Sequence, residues 1–414
     1  MRSKCLCVAA GCILAAIALL PIFSSGTSLS APGQILYSFT GGSDGANPYS
    51  DLTLDSGGNL YGTASAGGHV KNGYCDYGCG IVFELQHSQN AWTETVLYTF
   101  QGGTDGYNPV GGVIFDKAGN LYGTTEEQPN ECNQGNVFKL SPGANGIWTE
   151  TVLYSFTCGT GYNPTTDLAF DSKGDLFGTA SDTVFELIPQ ANGTWNEVTL
   201  HQFNGGTDGA GPISGVILDS GGNVYGTTLG GGAGNCYRGC GIVYKLTPGP
   251  HNNWTETILY NFARGGGAAV NPSGGLILAN PHQLLGTTTA GGDGLGTVFE
   301  LTKSQSILQS VLYRFYGTPD GSMPIGQIIS VNGLLFGVTL DGGSRGLGTV
   351  FKLLPSEGRS WRETILHSFS DVSGDGSYPE AGLVADSEGH LYGTTSRGGK
   401  GCNRGCGIVY EITP

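Results

Sequence analysis

Residues 109–125 read Pro-Val-Gly-Gly-Val-Ile-Phe-Asp-Lys-Ala-Gly-Asn-Leu-Tyr-Gly-Thr-Thr. Val113-Ile114-Phe115 is a short apolar run of β-forming residues, and Pro109 ahead of it removes no ladder hydrogen bond. Asp116 to Gly119 has turn chemistry: Asp at the first position caps the backbone and Gly takes the left-handed conformation. Asn120 to Thr124 then returns as a second strand. The stretch is a β-hairpin, and no helical period runs through it.

The hairpin recurs along the whole chain. Its centre appears as Tyr61-Gly62-Thr63, Tyr122-Gly123-Thr124, Phe177-Gly178-Thr179, Tyr225-Gly226-Thr227, Leu285-Gly286-Thr287, Phe336-Gly337-Val338 and Tyr392-Gly393-Thr394. The turn recurs from Asp55, Asp171, Asp219 and Asp386. Residues 61 and 392 lie 331 positions apart, so seven copies repeat at a period of about 55 residues. After each hairpin comes a Gly-rich loop, then a third strand such as Ile81 to Leu85 or Thr349 to Leu353. A fourth follows, such as Trp92 to Phe100. Four strands at this period make a propeller blade. Ile35 to Phe39 is a fourth-strand sequence with no blade before it, and Ile408 to Ile412 a third-strand sequence with no fourth after it. The expected fold is therefore all-β, a seven-bladed β-propeller of four-stranded blades over residues 34–414. Pairing of the N-terminal strand with the three C-terminal ones closes the ring and removes two edges.

The order Pro, Asp-x-x-Gly-Asn-Leu-Tyr-Gly-Thr-Thr, Gly-Gly, Gly-Thr-Val-Phe-Lys-Leu resembles the GloVer tandem repeat of exported bacterial proteins that carry varied surface anchors. The resemblance spans 34–414. It implies a propeller-like exported protein and no particular reaction. Copies five and six depart from it, with Ala279-Asn280 and Val331-Asn332 in place of the Asp turn.

Composition agrees with this architecture. Seventy-four of 414 residues are glycine, far too many for a helical protein at about 1 kcal/mol per interior helix position. The net charge is −15 with no Lys/Arg cluster, which excludes nucleic acid as a partner class. Residues 1–30 read as a secretory signal peptide: Arg2 and Lys4, an apolar run from Cys5 to Leu20, Pro21, then small residues to Ser30. The alternative is an uncleaved anchor, because the run approaches spanning length. Once the signal is removed no membrane span remains. The expected location is secreted, periplasmic or cell-surface, and the expected state a monomer.

Export makes the later cysteines legible as disulfides. Cys75/Cys79, Cys236/Cys240 and Cys402/Cys406 each precede a Gly-Ile-Val third strand, so local bridges are expected there, and Cys132 is expected to pair with Cys158. A zinc site from Cys75, Cys79, Cys402 and Cys406 is the competing reading.

The long Gly-rich loops share one face with the loops between blades, and that face is expected to carry function. Its between-blade loops hold Asp44, Asp105, Asp208, Asp320 and Asp375, a ring of carboxylates that is the candidate site for a polar ligand or a cation such as calcium. The simpler reading is a repeated Asp-Gly turn. No string of alternating oxygen ligands marks a calcium loop, and no cofactor is expected. The five tryptophans (Trp92, Trp148, Trp195, Trp254 and Trp361) are expected to begin outer strands and cover the blade flank. The third-strand charges Glu84, Lys139, Glu186, Lys245, Glu300, Lys352 and Glu411 read as solvated. Histidines are scattered without ligand spacing, and no nucleophile elbow, HExxH or phosphate loop occurs. The sequence reading is thus a binding scaffold for protein or glycan, without catalytic residues. The alternative is a propeller enzyme acting on polysaccharide or lactone, which should break the sevenfold likeness with charges facing the channel.

Overall fold

A computed structural model describes residues 33–68, 75–88, 91–126, 135–157, 163–292, 294–304, 306–357, 360–372, 374–403 and 405–414. The expected signal peptide and the Cys132–Cys158 pair lie outside the described residues. Seven four-stranded antiparallel blades form a propeller ring, with no α-helix among the described residues. Blade one is typical: Thr53–Leu54 at the axis, then Leu60–Ala64, Ile81–Ser88 and Ala91–Thr99 outward. The last blade joins both termini, in the order Gln34–Ser38, Ile408–Ile412, Leu391–Thr395, Val384–Ala385.

Each Asp turn closes as its chemistry requires. Asp55 Oδ1 accepts from the Gly57 and Asn59 amides at 2.8 Å each, and Oδ2 accepts from Asn59 Nδ2 at 2.9 Å. Where the Asp is missing, shorter loops take over. In copy five Asn280 pairs directly with Gln283. In copy six Val331 pairs with Leu334 across Asn332 (φ 52°) and Gly333 (φ 79°), the Asn-Gly pair that a two-residue hairpin favours.

The core lies between neighbouring blades. A Phe after each outer strand is fully or nearly fully buried and meets the aromatic ring of the next blade's third strand, edge-on in six of the seven pairs. Phe100 meets Phe138 at 5.2 Å and Phe369 meets Tyr410 at 5.1 Å. Both pairs reach across a blade boundary, so the contact that fills the core also fastens each blade to the next. The glycine of Tyr-Gly-Thr makes room for these rings, because a Cβ at Gly62 would come within 2.8 Å of the Phe83 ring. Outer strands carry a bulge at one repeated place, as between Val82 and Phe83, which turns Leu97 inward to 8% exposure. The tryptophans do begin outer strands and lean on the preceding blade: Trp92 on Tyr392 at 6.0 Å, Trp195 on Tyr122 and Trp254 on Phe177 at 6.2 Å.

One expectation is corrected. Glu84 and Glu186 are not solvated but buried, at 8% and 7% exposure, because the third strand lies inside the blade under the next blade's flank. Tyr61 Oη donates to Glu84 at 2.7 Å. Lys139 and Lys245 lie over the rings of Tyr122 and Tyr225 instead.

The three local disulfides form, Cys75–Cys79, Cys236–Cys240 and Cys402–Cys406, with Cα atoms 5.0–5.2 Å apart. This excludes the four-cysteine zinc site. The residue before the second cysteine is Gly78, Gly239 or Gly405, with φ of 85°, 83° and 75°, and it lies against the backbone of the loop after the second strand. A Cβ at Gly239 would overlap the Gly231 carbonyl. Gly239→Ala is therefore expected to destabilise the protein by about 2 kcal/mol. A thermal melt of the variant beside wild type reads this, and an unchanged midpoint would refute the account.

Candidate functional site

In five blades the inner strand is only two residues long and follows an extended segment that begins at a proline, whereas blades five and six have the longer strands Ile277–Asn280 and Gly321–Val331. Side chains alternate along the segment: Ser50 and Leu52 turn into the blade, whereas Tyr49, Asp51 and Thr53 line the axial channel. The channel has a volume of about 860 Å³. Three residues after each proline, the ring reads Asp51, Gly112, Asp167, Gly215, Gly275, Gln327, Gly382. Four blades give no side chain there and three give a polar one.

Each polar side chain leans into the gap left by the preceding blade's glycine. Asp51 Oδ1 accepts from the Gly382 amide, and Asp167 Oδ1 accepts from the Gly112 amide. Gln327 Nε2 donates to the Leu276 carbonyl, beside Gly275, at 2.6 Å. The inner edge of a propeller has unpaired backbone groups, and these side chains satisfy three of them. They also bring two acids near each other, because Asp51 and Asp167 flank the blade whose side chain is missing, and their charges couple across it.

Two buried carboxyls whose charges couple cannot both ionise easily. Burial, followed by the neighbouring Asp167 charge, pushes Asp51 up to about 8. Burial also raises Asp167, against the pull of the Gly112 amide and the Asp51 side chain. At neutral pH the pair holds a proton, so one carboxyl is a donor and the other an acceptor. Above it the rim is Tyr49, Val110, Thr165, Ile213, Ser273, Ile325 and Glu380. Glu380, itself raised by burial, accepts from Ser396 Oγ at 2.7 Å.

The five Asp residues expected as a ring are elsewhere. Each lies beside its own outer strand and caps its own loop. Asp44 accepts from Tyr37 Oη at 3.0 Å and the Thr40 amide at 2.8 Å. Asp105 does so from Tyr98 and the Gln101 amide, and Asp320 from Tyr313 and the Tyr316 amide. Asp208 and Asp375 meet His201 and His367 at 3.1 and 3.2 Å. Across the seam, the outer strand of the next blade sets Glu94, Glu150, Glu256 and Glu363 against the first four, counted as Asp44, Asp105, Asp208 and Asp320. The structure does not bring the five carboxylates together.

Sequence reasoning missed the Asp51–Asp167 pair. Aligning the seven copies on their prolines would have found it, since two acids at a position otherwise Gly or Gln stand out.

Fold and site together define a seven-bladed propeller with a polar, proton-holding axial channel. The chain belongs to the Gloeobacter/Verrucomicrobia repeat family, whose model matches residues 24–183 and 234–414. No curated protein matches it. Among solved structures, it is similar to virginiamycin B lyase from Staphylococcus aureus, at 14% identity and TM-score 0.53 over 92% of this chain and 98% of that one. A putative 6-phosphogluconolactonase from Bacteroides uniformis gives 14% and 0.53 over 82% and 90%. PorZ, a bacterial surface component of the type-IX secretion system of Porphyromonas gingivalis, gives 16% and 0.53 over 88% and 46%. At these identities the likeness is one of fold.

Proposed function

We propose that this propeller is an exported binding protein whose ligand enters the axial channel from the long-loop face. The ligand is a neutral, hydroxyl-rich molecule such as the end of a glycan chain. One observation carries the reading: the inner ring breaks its sevenfold likeness with the Asp51–Asp167 pair. A carboxyl beside a carboxylate offers a donor and several acceptors in one place, which suits neighbouring sugar hydroxyls. The Tyr49, Ile213 and Ile325 side chains give the rim apolar surface for the C–H faces of a ring. Anions are disfavoured, because Glu380 and the pair are acidic and the lining residues include no Lys, Arg or His. The local disulfides and the family resemblance support export, and among the described residues no helix is long and apolar enough to cross a membrane.

The test is a glycan-array screen, with and without calcium, followed by titration calorimetry on the best hit. Asn keeps the acceptor for the Gly382 and Gly112 amides but cannot share a proton as the acids do. The D51N/D167N variant is therefore expected to keep its fold and lose at least tenfold in affinity, about 1.4 kcal/mol. Equal affinity, or no glycan bound by wild type, would sink the reading.

The retained proton favours one second reading, acid–base catalysis on a polysaccharide or lactone, in which one carboxyl gives a proton and the other takes one. It is separated from binding by product: wild type would turn over the bound ligand and D51N would not.

A further inference from the structure

The seam between blades three and four differs from every other described seam. Five outer strands place a tyrosine two residues before the buried Phe: Tyr37, Tyr98, Tyr154, Tyr260 and Tyr313. The other two place His201 and His367 there. The next blade contributes a Glu opposite His201, namely Glu256, but at the His367 seam the equivalent position is Gly33, whose Cβ would lie 3.4 Å from His367 Nδ1. Among the described residues, only one seam therefore joins an imidazole to two carboxylates. His201, Asp208 and Glu256 each present a ligand atom, and the three atoms lie within 4.8 Å of one another.

We infer that His201, Asp208 and Glu256 form a divalent-cation site, with zinc the best-suited ion. The donor set of one imidazole nitrogen and two carboxylate oxygens is a zinc set with an open fourth position. At zinc–ligand lengths near 2.0–2.1 Å, tetrahedral ligands stand about 3.3 Å apart. His201 Nε2 and Asp208 Oδ1 are already 3.1 Å apart, so closure asks mainly for a rotation of the Glu256 side chain. The other groups are braced: Asp208 Oδ2 accepts from the Asn204 amide at 2.7 Å, and the Phe203 ring meets the His201 ring edge-on at 4.7 Å.

The observation that points to an ion is Glu256 Oε1, which is enclosed and meets no hydrogen-bond donor. Glu94, Glu150 and Glu363 leave an oxygen in the same condition. There the third group is a phenol that already donates its proton to the Asp, so a proton between the acids is the ordinary filling. At His201 the third group offers a nitrogen lone pair, and an ion can satisfy all three. His201 and Asp208 side chains keep 21% and 25% exposure, which gives the ion a way in. This site is far along the blade from the channel and does not depend on the binding proposal.

The experiment is competition for zinc against a chromophoric chelator at neutral pH, with intact disulfides. Wild type is expected to take up one zinc per chain and to melt at a higher temperature with it. His201→Tyr installs the residue used by five other blades, and Glu256→Gln keeps the shape; each is expected to weaken zinc at least about tenfold. His367→Tyr should leave affinity unchanged. Each variant is melted without zinc first, so that a folding defect is seen as such. No stoichiometric zinc, or zinc held equally by H201Y and E256Q, overturns the assignment.

Discussion

Excising Gln34–Phe39 is expected to destroy the ring, leaving a chain that aggregates or melts far below wild type. These residues are the outer strand of the seventh blade, held by Gln34↔Glu411, Ile35↔Tyr410, Tyr37↔Val409 and Ser38↔Ile408. Without them the Ile408–Ile412 strand shows an unpaired edge, which is a template for another chain. The excision also removes Phe39, fully buried against Phe83, and Leu36 at 9% exposure. A single Phe39→Ala change should already cost about 3–5 kcal/mol, a large part of the 5–15 kcal/mol typical of a domain. Size-exclusion chromatography and a thermal melt read the outcome. A monomer with an unchanged midpoint would show that the terminal strand is ornamental and the closure account wrong.

That closure is legible in the sequence because it rests on order. A fourth strand stands without a blade at one end, and a third without a fourth at the other. The hairpins were legible for the same reason: Asp55 and Gly58 state their turn locally, so spacing alone predicts it. Function was written in another register. Asp51 and Asp167 are 116 positions apart and come near each other only because Gly112 leaves the intervening blade empty. His201 and Glu256 are separated by one period, and the pairing belongs to the seam, not to either copy. Repetition also misled. The Asp-Gly loops look like a carboxylate ring when aligned, yet each aspartate is engaged by its own strand. The third-strand charges look exposed by alternation, yet Glu84 lies under its neighbour. What a repeat hides is what happens between its copies.

Raising the pH from about 5 to about 8 is expected to lower the melting midpoint by roughly 5–10 °C. The direction follows from the buried acids. Burial, then the Asp320 charge, pushes Glu363 up to about 8; burial, then a neighbouring aspartate, pushes Glu94, Glu150 and Glu186 up to about 7. Asp51 stands at about 8 for the reasons given above. In the unfolded chain such groups lose their protons near pH 4. Between these limits the folded state holds more protons than the unfolded one, so stability falls as pH rises. The opposite group is the hairpin aspartates. Asp55, Asp116, Asp219 and Asp386 are partly buried, but hydrogen bonds outweigh that and hold them below the usual range. Their contribution is present above pH 4 and is lost on further acidification. The optimum therefore falls near pH 4–5, between the two sets. Glutamine copies a protonated glutamate, so Glu94→Gln, Glu150→Gln and Glu363→Gln together should raise the midpoint at pH 8, leave it nearly unchanged at pH 5, and flatten the profile. Melts of both proteins across that range decide the matter. A wild-type midpoint that rises toward pH 8 would mean the seam acids are ionised and matched by cations, and the proton-filled seams would have to be abandoned.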